Sequence, residues 1–105
     1  MAKNEKNKYD WIVTAGCTCG TIYPIYMYCV HTTTEGIKKV LVDMCREDKE
    51  DLGVFEEYEY GTESIEDVQT SELDNTFFAR ICFDIGHIDY RATRLDSIET
   101  YTERI

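Results

Sequence analysis

The stretch TTTEGIKKVLVDMCREDKEDLG, residues 32–53, decides the fold, because it is the clearest periodic element in the chain. Ile37, Val40, Leu41, Met44 and Cys45 fall at the i, i+3, i+4, i+7, i+8 spacing of an amphipathic helix. Lys38, Lys39, Asp43, Arg46 and Glu47 take the opposite side. Thr32 followed three residues later by Glu35 has the spacing of a capping box, and Gly53 is a natural stop. The rest of the chain has strand periodicity, so this helix has a sheet to lie on. The expected fold is α+β: an antiparallel β-sheet of about five strands with one main amphipathic helix packed on one face.

Upstream, Tyr9, Trp11, Val13 and Ala15 alternate with Asp10, Ile12 and Thr14, as in a strand with one strongly apolar face. Gly16 to Thr21 breaks the pattern. Ile22 to Thr32 reads as a second strand with both faces partly apolar, suiting a central or doubly covered position. Pro24 marks its beginning or an edge, since proline cannot donate to a ladder. Downstream, Val54 to Tyr60 reads as a short edge strand or ordered loop. Thr62 is a candidate N-cap for one or two helical turns that point Ile65 and Val68 inward. A short strand near Val68–Leu73 and a turn at Asp74-Asn75 follow. Thr76 to Phe83 alternates Phe77, Ala79, Ile81 and Phe83 against Phe78, Arg80 and Cys82. Asp84-Ile85-Gly86 turns the chain, and His87 to Arg94 alternates Ile88, Tyr90 and Ala92 against His87, Asp89, Arg91 and Thr93. The 105 residues suit one domain with frayed ends at 1–8 and about 97–105.

Charge is unevenly placed. Asp43 to Glu72 holds twelve carboxylates and two bases, which equals the net charge of −10 for the whole chain. The remaining residues hold nine acids and nine bases. Such a balance opposes passive affinity for DNA, RNA or an anionic membrane and permits a basic partner. No apolar run approaches a membrane span, and no signal-peptide core follows the polar N-terminus, so the cytoplasm is the expected location. Five cysteines without framework spacing read as reduced thiols.

Three chemical constellations fail on their own requirements. Cys17-x-Cys19 and Cys29-x-His31 are acceptable zinc ligands. A hairpin turning near Gly20 nevertheless sets Cys29 and His31 opposite residues around Ile12, tens of ångströms from the first pair at about 3.3 Å per residue. Asp48, Glu50, Gly53, Phe55, Glu56 and Glu59 match a calcium loop, but Leu52 stands where an oxygen ligand is needed. Cys82, His87 and Asp89 could converge as nucleophile and base, yet Cys82 lacks a glycine-rich or helix-terminal setting for an oxyanion. No Walker loop, dinucleotide fingerprint or paired-carboxylate motif occurs, so neither catalysis nor a cofactor nor a metal is expected.

Two binding readings remain. The first uses an acidic surface of Asp43, Glu47, Asp48, Glu50, Asp51, Glu56, Glu57, Tyr58, Glu59, Tyr60, Glu63, Glu66 and Asp67. Spaced carboxylates can imitate phosphates and occupy a basic nucleic-acid cleft, with the tyrosines as anchors. An acidic helix face is ordinarily only solvated, which leaves that alternative open. The second uses Tyr26, Tyr28 and Tyr90 (with Tyr23) beside Arg80 and Arg91 to stack a base and grip a phosphate, against a sheet face covered by the helix or a second protomer.

At Gly61-Thr62-Glu63-Ser64-Ile65-Glu66 and His87-Ile88-Asp89-Tyr90-Arg91-Ala92, with the helix from Glu35 to Lys49, the chain resembles a group of small proteins encoded by phages and prophages. The resemblance spans about residues 32–95. No activity is assigned to that group, so it implies a setting and transfers no functional residue. Small phage proteins of this size are often accessory factors, and many block host defences by binding a nuclease complex or sequestering a nucleotide messenger. That setting, joined to the acidic surface, leads to the expectation of an anti-CRISPR-like, counter-defence inhibitor acting in the host cytoplasm on a basic host protein or nucleoprotein complex, without touching nucleic acid itself. A nucleotide-sequestering homo-oligomer and a structural accessory subunit stay open beside it.

Overall fold

A computed structural model of the chain describes residues 7–17, 26–53, 57–73, 75–84 and 86–98. Strand β1 (Lys8–Cys17) pairs with β2 (Tyr26–Thr33), which leads directly into helix α1 (Thr34–Leu52). Strand β3 (Tyr58–Gly61), a 3₁₀ turn at Ile65–Asp67, and the two-residue β4 (Gln69–Thr70) precede the hairpin of β5 (Thr76–Phe83) and β6 (Gly86–Arg94). A second 3₁₀ turn, Leu95–Ser97, follows. The sheet order is β2-β1-β6-β5-β3, every pairing is antiparallel, and β4 also pairs with β5. The architecture is α+β, an antiparallel sheet with one main helix.

Alternation along the strands separates two faces. Trp11, Val13 and Ala15 of β1, Tyr90 and Ala92 of β6, and Phe77, Ala79, Ile81 and Phe83 of β5 are all buried. They meet Ile37, Leu41, Val42, Met44 and Cys45 of α1 in one core cluster, which Val68 and the half-buried Ile65 extend. Of the stripe read from the sequence, Ile37, Leu41, Met44 and Cys45 are buried, Val40 is only partly so, and Val42 joins them. Trp11 lies against Phe77 at 5.5 Å between ring centroids, and its indole N–H donates to the Thr32 carbonyl at 3.0 Å. That bond ties β1 to the end of β2, where the chain turns into the helix.

Several local readings need correction. The N-cap is Thr33, whose hydroxyl accepts from the Gly36 N–H at 2.9 Å. Thr32 stays in the strand, so the Thr32–Glu35 box does not form. A Cβ at Gly36 would sit 2.1 Å from the Thr32 hydroxyl, so a larger residue there would require the Thr32 side chain to turn away. At the other end Gly53 donates to the Lys49 carbonyl with φ −61°, so the helix stops there without a left-handed cap. Strand β2 is an edge, not a central strand. An apolar edge strand and an apolar central strand have the same composition, and β2 lies beside β1 at the helix-bearing end.

Thr62 does not cap. Its N–H donates to the Arg80 carbonyl at 2.8 Å and its hydroxyl accepts from the Arg80 N–H at 3.1 Å, continuing the β3 ladder. Ser64 is the N-cap of the short 3₁₀ turn, and the expected strand at Val68–Leu73 shrinks to β4. Glu56, Phe55, Cys19, Tyr23, Pro24, Asp74, Ile85 and the ends 1–6 and 99–105 lie outside the described residues. Among the described residues, no helix is long and apolar enough to cross a membrane.

Candidate functional site

The acidic stretch is built on three elements that touch one another. Glu47, Glu50 and Asp51 are exposed on the last turns of α1, with Asp43 partly so. Glu57 and Glu59 are exposed at β3, and Glu63, Glu66 and Asp67 are exposed around the 3₁₀ turn. One cluster holds these segments together. Lys49 lies 4.0 Å above the Tyr58 ring and 3.6 Å from the Glu63 carboxylate, and the Tyr58 hydroxyl donates to Glu63 at 3.0 Å. Burial first, then the Glu63 carboxylate, pushes the Tyr58 hydroxyl up to about 12. The Asp67 carboxylate folds back to accept from the backbone N–H groups of Glu63 and Ser64 at 3.1 and 3.2 Å. Arg46 pairs with Asp43 at 3.0 Å.

Two members of the set are used inwardly. Asp48 accepts a 2.6 Å bond from the hydroxyl of the buried Tyr90, joining the sheet-facing side of α1 to β6. Below it Cys45 is buried, and burial with the Asp48 charge nearby pushes its thiol up to about 12. Tyr58 and Tyr60 are also separated. Strict alternation would place them on one face, but a register shift pairs Tyr58 with Phe83 and Tyr60 with Cys82. The extra residue of the bulge turns the two rings to opposite sides. Tyr58 packs edge-on against Phe83 at 5.9 Å on the helix side, whereas Tyr60 is 63% exposed on the other. A bond with the Cys82 thiol raises the Tyr60 hydroxyl pKa.

On the face away from α1 lies a groove of about 760 Å³, lined by Tyr60, Thr62, Gln69, Phe78, Arg80 and Arg91 among others. The register sets Phe78 opposite Arg91 and Arg80 opposite Asp89. The Arg91 guanidinium lies 5.4 Å from the Phe78 ring centroid. The Arg80 guanidinium bonds to the Asp89 carboxylate, which raises its pKa. Of the nucleotide set read from the sequence, Arg80 and Arg91 share this groove, but the Tyr90 side chain points into the core. Tyr26 and Tyr28 are placed only by register, opposite Ala15 and Val13. The signal separating Tyr90 from the arginines was present: even positions of β6 and odd positions of β5 form the apolar set. The ring that does accompany them, Phe78, stands two residues before Arg80.

The three constellations set aside in the sequence fall differently in the fold. Cys29 pairs opposite Ile12 and Cys17 opposite Ile88, so these two cysteines lie at separate points along β1, while Cys19 is outside the described residues. Asp48 and Glu50 lie within α1 and not in a loop, which removes the calcium template. Among the described residues, no cluster of three or more His, Cys, Asp or Glu could hold a metal ion. Cys82 stands opposite His87, and His87 lies 3.3 Å from Asp89. The thiol, however, is buried and Asp89 is engaged by Arg80. No protein-family model, curated protein or solved structure matches the chain.

Proposed function

We propose that the chain is a non-enzymatic interaction protein that inhibits a basic, nucleic-acid-handling host complex through its acidic surface. The observation that carries this reading is the Lys49–Tyr58–Glu63 cluster, which fixes the end of α1, β3 and the 3₁₀ turn against one another. Carboxylates on three independent segments would each pay an ordering cost on binding; carboxylates on a clamped surface meet a partner already arranged. Their excess over Arg46 and Lys49 favours a cleft lined by lysine and arginine, the surface that otherwise receives phosphates. The resemblance to phage-encoded proteins supplies the setting, counter-defence in the host cytoplasm.

The test is capture of partners from a bacterial host lysate on the immobilised chain, followed by affinity measurements on the captured complex. Raising salt from about 50 to 300 mM should weaken binding about tenfold or more, since exposed charges are screened over that range. Duplex DNA should compete. Glu56→Lys, Glu57→Lys and Glu59→Lys together should cut affinity by a similar factor with the unfolding midpoint unchanged. Binding that ignores salt and these reversals would sink the proposal.

A further inference from the structure

The groove on the opposite face has a charge pattern that the acidic surface does not explain. It holds two guanidiniums, Arg80 and Arg91, and two carboxylates, Asp67 and Asp89. Arg80 is engaged by Asp89, and Asp67 is turned back on Glu63 and Ser64. Arg91 is exposed and rests on the face of Phe78. Among the described residues, no carboxylate lies within 4.0 Å of its guanidinium nitrogens. In a chain of net charge −10, this is a guanidinium fork presented to solvent beside two aromatic rings.

The geometry points to a nucleotide with a single phosphate group as the ligand of this groove. The planar fork of Arg91 matches a phosphate, and its cation–π contact with Phe78 favours its place beside the ring. Tyr60 offers an exposed ring on the groove wall, and a base can stack on it without regard to sequence. Gln69, also exposed on that wall, has an amide that can both donate to and accept from a base edge. The groove volume, about 760 Å³, lies within the ordinary range for small-molecule sites. Charge then selects among nucleotides. Asp89 already holds Arg80, which leaves the Arg91 fork as the groove's uncommitted guanidinium and suits it to one phosphate, whereas a triphosphate or a nucleic-acid strand adds repulsion from Asp67, Asp89 and the acidic stretch.

The test is isothermal titration of the full chain with AMP, GMP, CMP and UMP. ATP, inorganic phosphate, the four nucleosides and a ten-nucleotide oligothymidylate are the comparison probes. At least one monophosphate should bind with Kd below about 1 mM, more tightly than ATP, phosphate, its own nucleoside or the oligonucleotide. Arg91→Gln should weaken that binding about tenfold or more and Tyr60→Ala about fivefold or more, while Arg46→Gln on the helix side changes nothing. Thermal unfolding checks that each variant is folded. Should Arg91→Gln not fold, Tyr60→Ala at the exposed rim decides alone. The proposal is overturned if no monophosphate binds, if any of the comparison probes binds as tightly as the best monophosphate, or if the folded groove variants retain full affinity.

Discussion

On the side of the sheet facing α1, Trp11, Val13, Phe77, Ile81 and Ala92 are no more than 1% exposed. Their strand neighbours Ile12, Thr14 and Phe78 on the far side are only partly buried, and Arg80 and Arg91 are exposed. The same three strands, β1, β5 and β6, thus make two unlike surfaces with a period of two residues. One surface excludes water and carries the folding free energy, so its residues are chosen for volume and apolarity. The far one is asked for little by the fold, which leaves room for charged side chains whose arrangement answers to something else. Substitutions at neighbouring positions therefore measure how complete the division is.

The largest effect should come from Trp11→Ala. It removes a fully buried ring from between β1 and Phe77, together with the indole bond to Thr32. Truncations of this kind cost about 3–5 kcal/mol, and the urea midpoint should fall accordingly. Thr14→Ala, three residues along the same strand and on the far face, should stay within about 0.5 kcal/mol. A comparable loss at both positions would mean that the far face is also covered in solution, as it would be in a face-to-face dimer.

Much of this division could be read from the sequence. The boundaries of β5 and most of the buried stripe of α1 follow from local periodicity, because a half-buried strand or helix repeats its environment at a fixed interval, and the Ile12–Cys29 register follows from a hairpin turning near Gly20. What depended on partners was not readable. The edge position of β2 is a property of sheet order, which composition does not encode. The bulge that parts Tyr58 from Tyr60 arises from how β3 meets β5, and the strand alone reads as simple alternation. Gly61 belongs to the same meeting: a Cβ there would lie 2.6 Å from the Arg80 carbonyl oxygen, so the close approach of β3 requires glycine. The acidic stretch was visible as charge, but the Lys49–Tyr58–Glu63 cluster that shapes it joins residues from three elements. Arg80 and Arg91 were named, whereas their ring partner Phe78 emerges only once the hairpin register is known.

A smaller effect is expected at Tyr90, where the buried hydroxyl reaches Asp48 at 2.6 Å. Tyr90→Phe keeps the ring and removes only the hydroxyl, so the bond to the partly buried Asp48 carboxylate is lost. Bonds to charged groups contribute about 1.5–3 kcal/mol, and chemical denaturation should show a loss in that range. A near-neutral result would mean that water replaces the hydroxyl, and that this bond adds little to the apolar contact between α1 and the sheet.

The smallest effect should come from the residue next to Tyr90. Asp89 points to the far face and holds the Arg80 guanidinium in an ion pair whose side chains are 45% and 54% exposed. By formal charge this is the stronger interaction of the two. Exposed pairs nevertheless contribute only about 0.2–1 kcal/mol, because water screens the charges and two long side chains lose freedom in meeting. Arg80→Gln leaves the backbone bonds from Arg80 to Thr62 in place, so β3 stays docked. Its unfolding free energy should drop by less than that of Tyr90→Phe, and the remainder should shrink further in high salt. A loss exceeding that of Tyr90→Phe would erase the distinction between the faces and make the groove part of the folding machinery. With the expected order, Arg80 and Arg91 are positions where stability tolerates change, and any loss of ligand binding on replacing them reports the groove and not the fold.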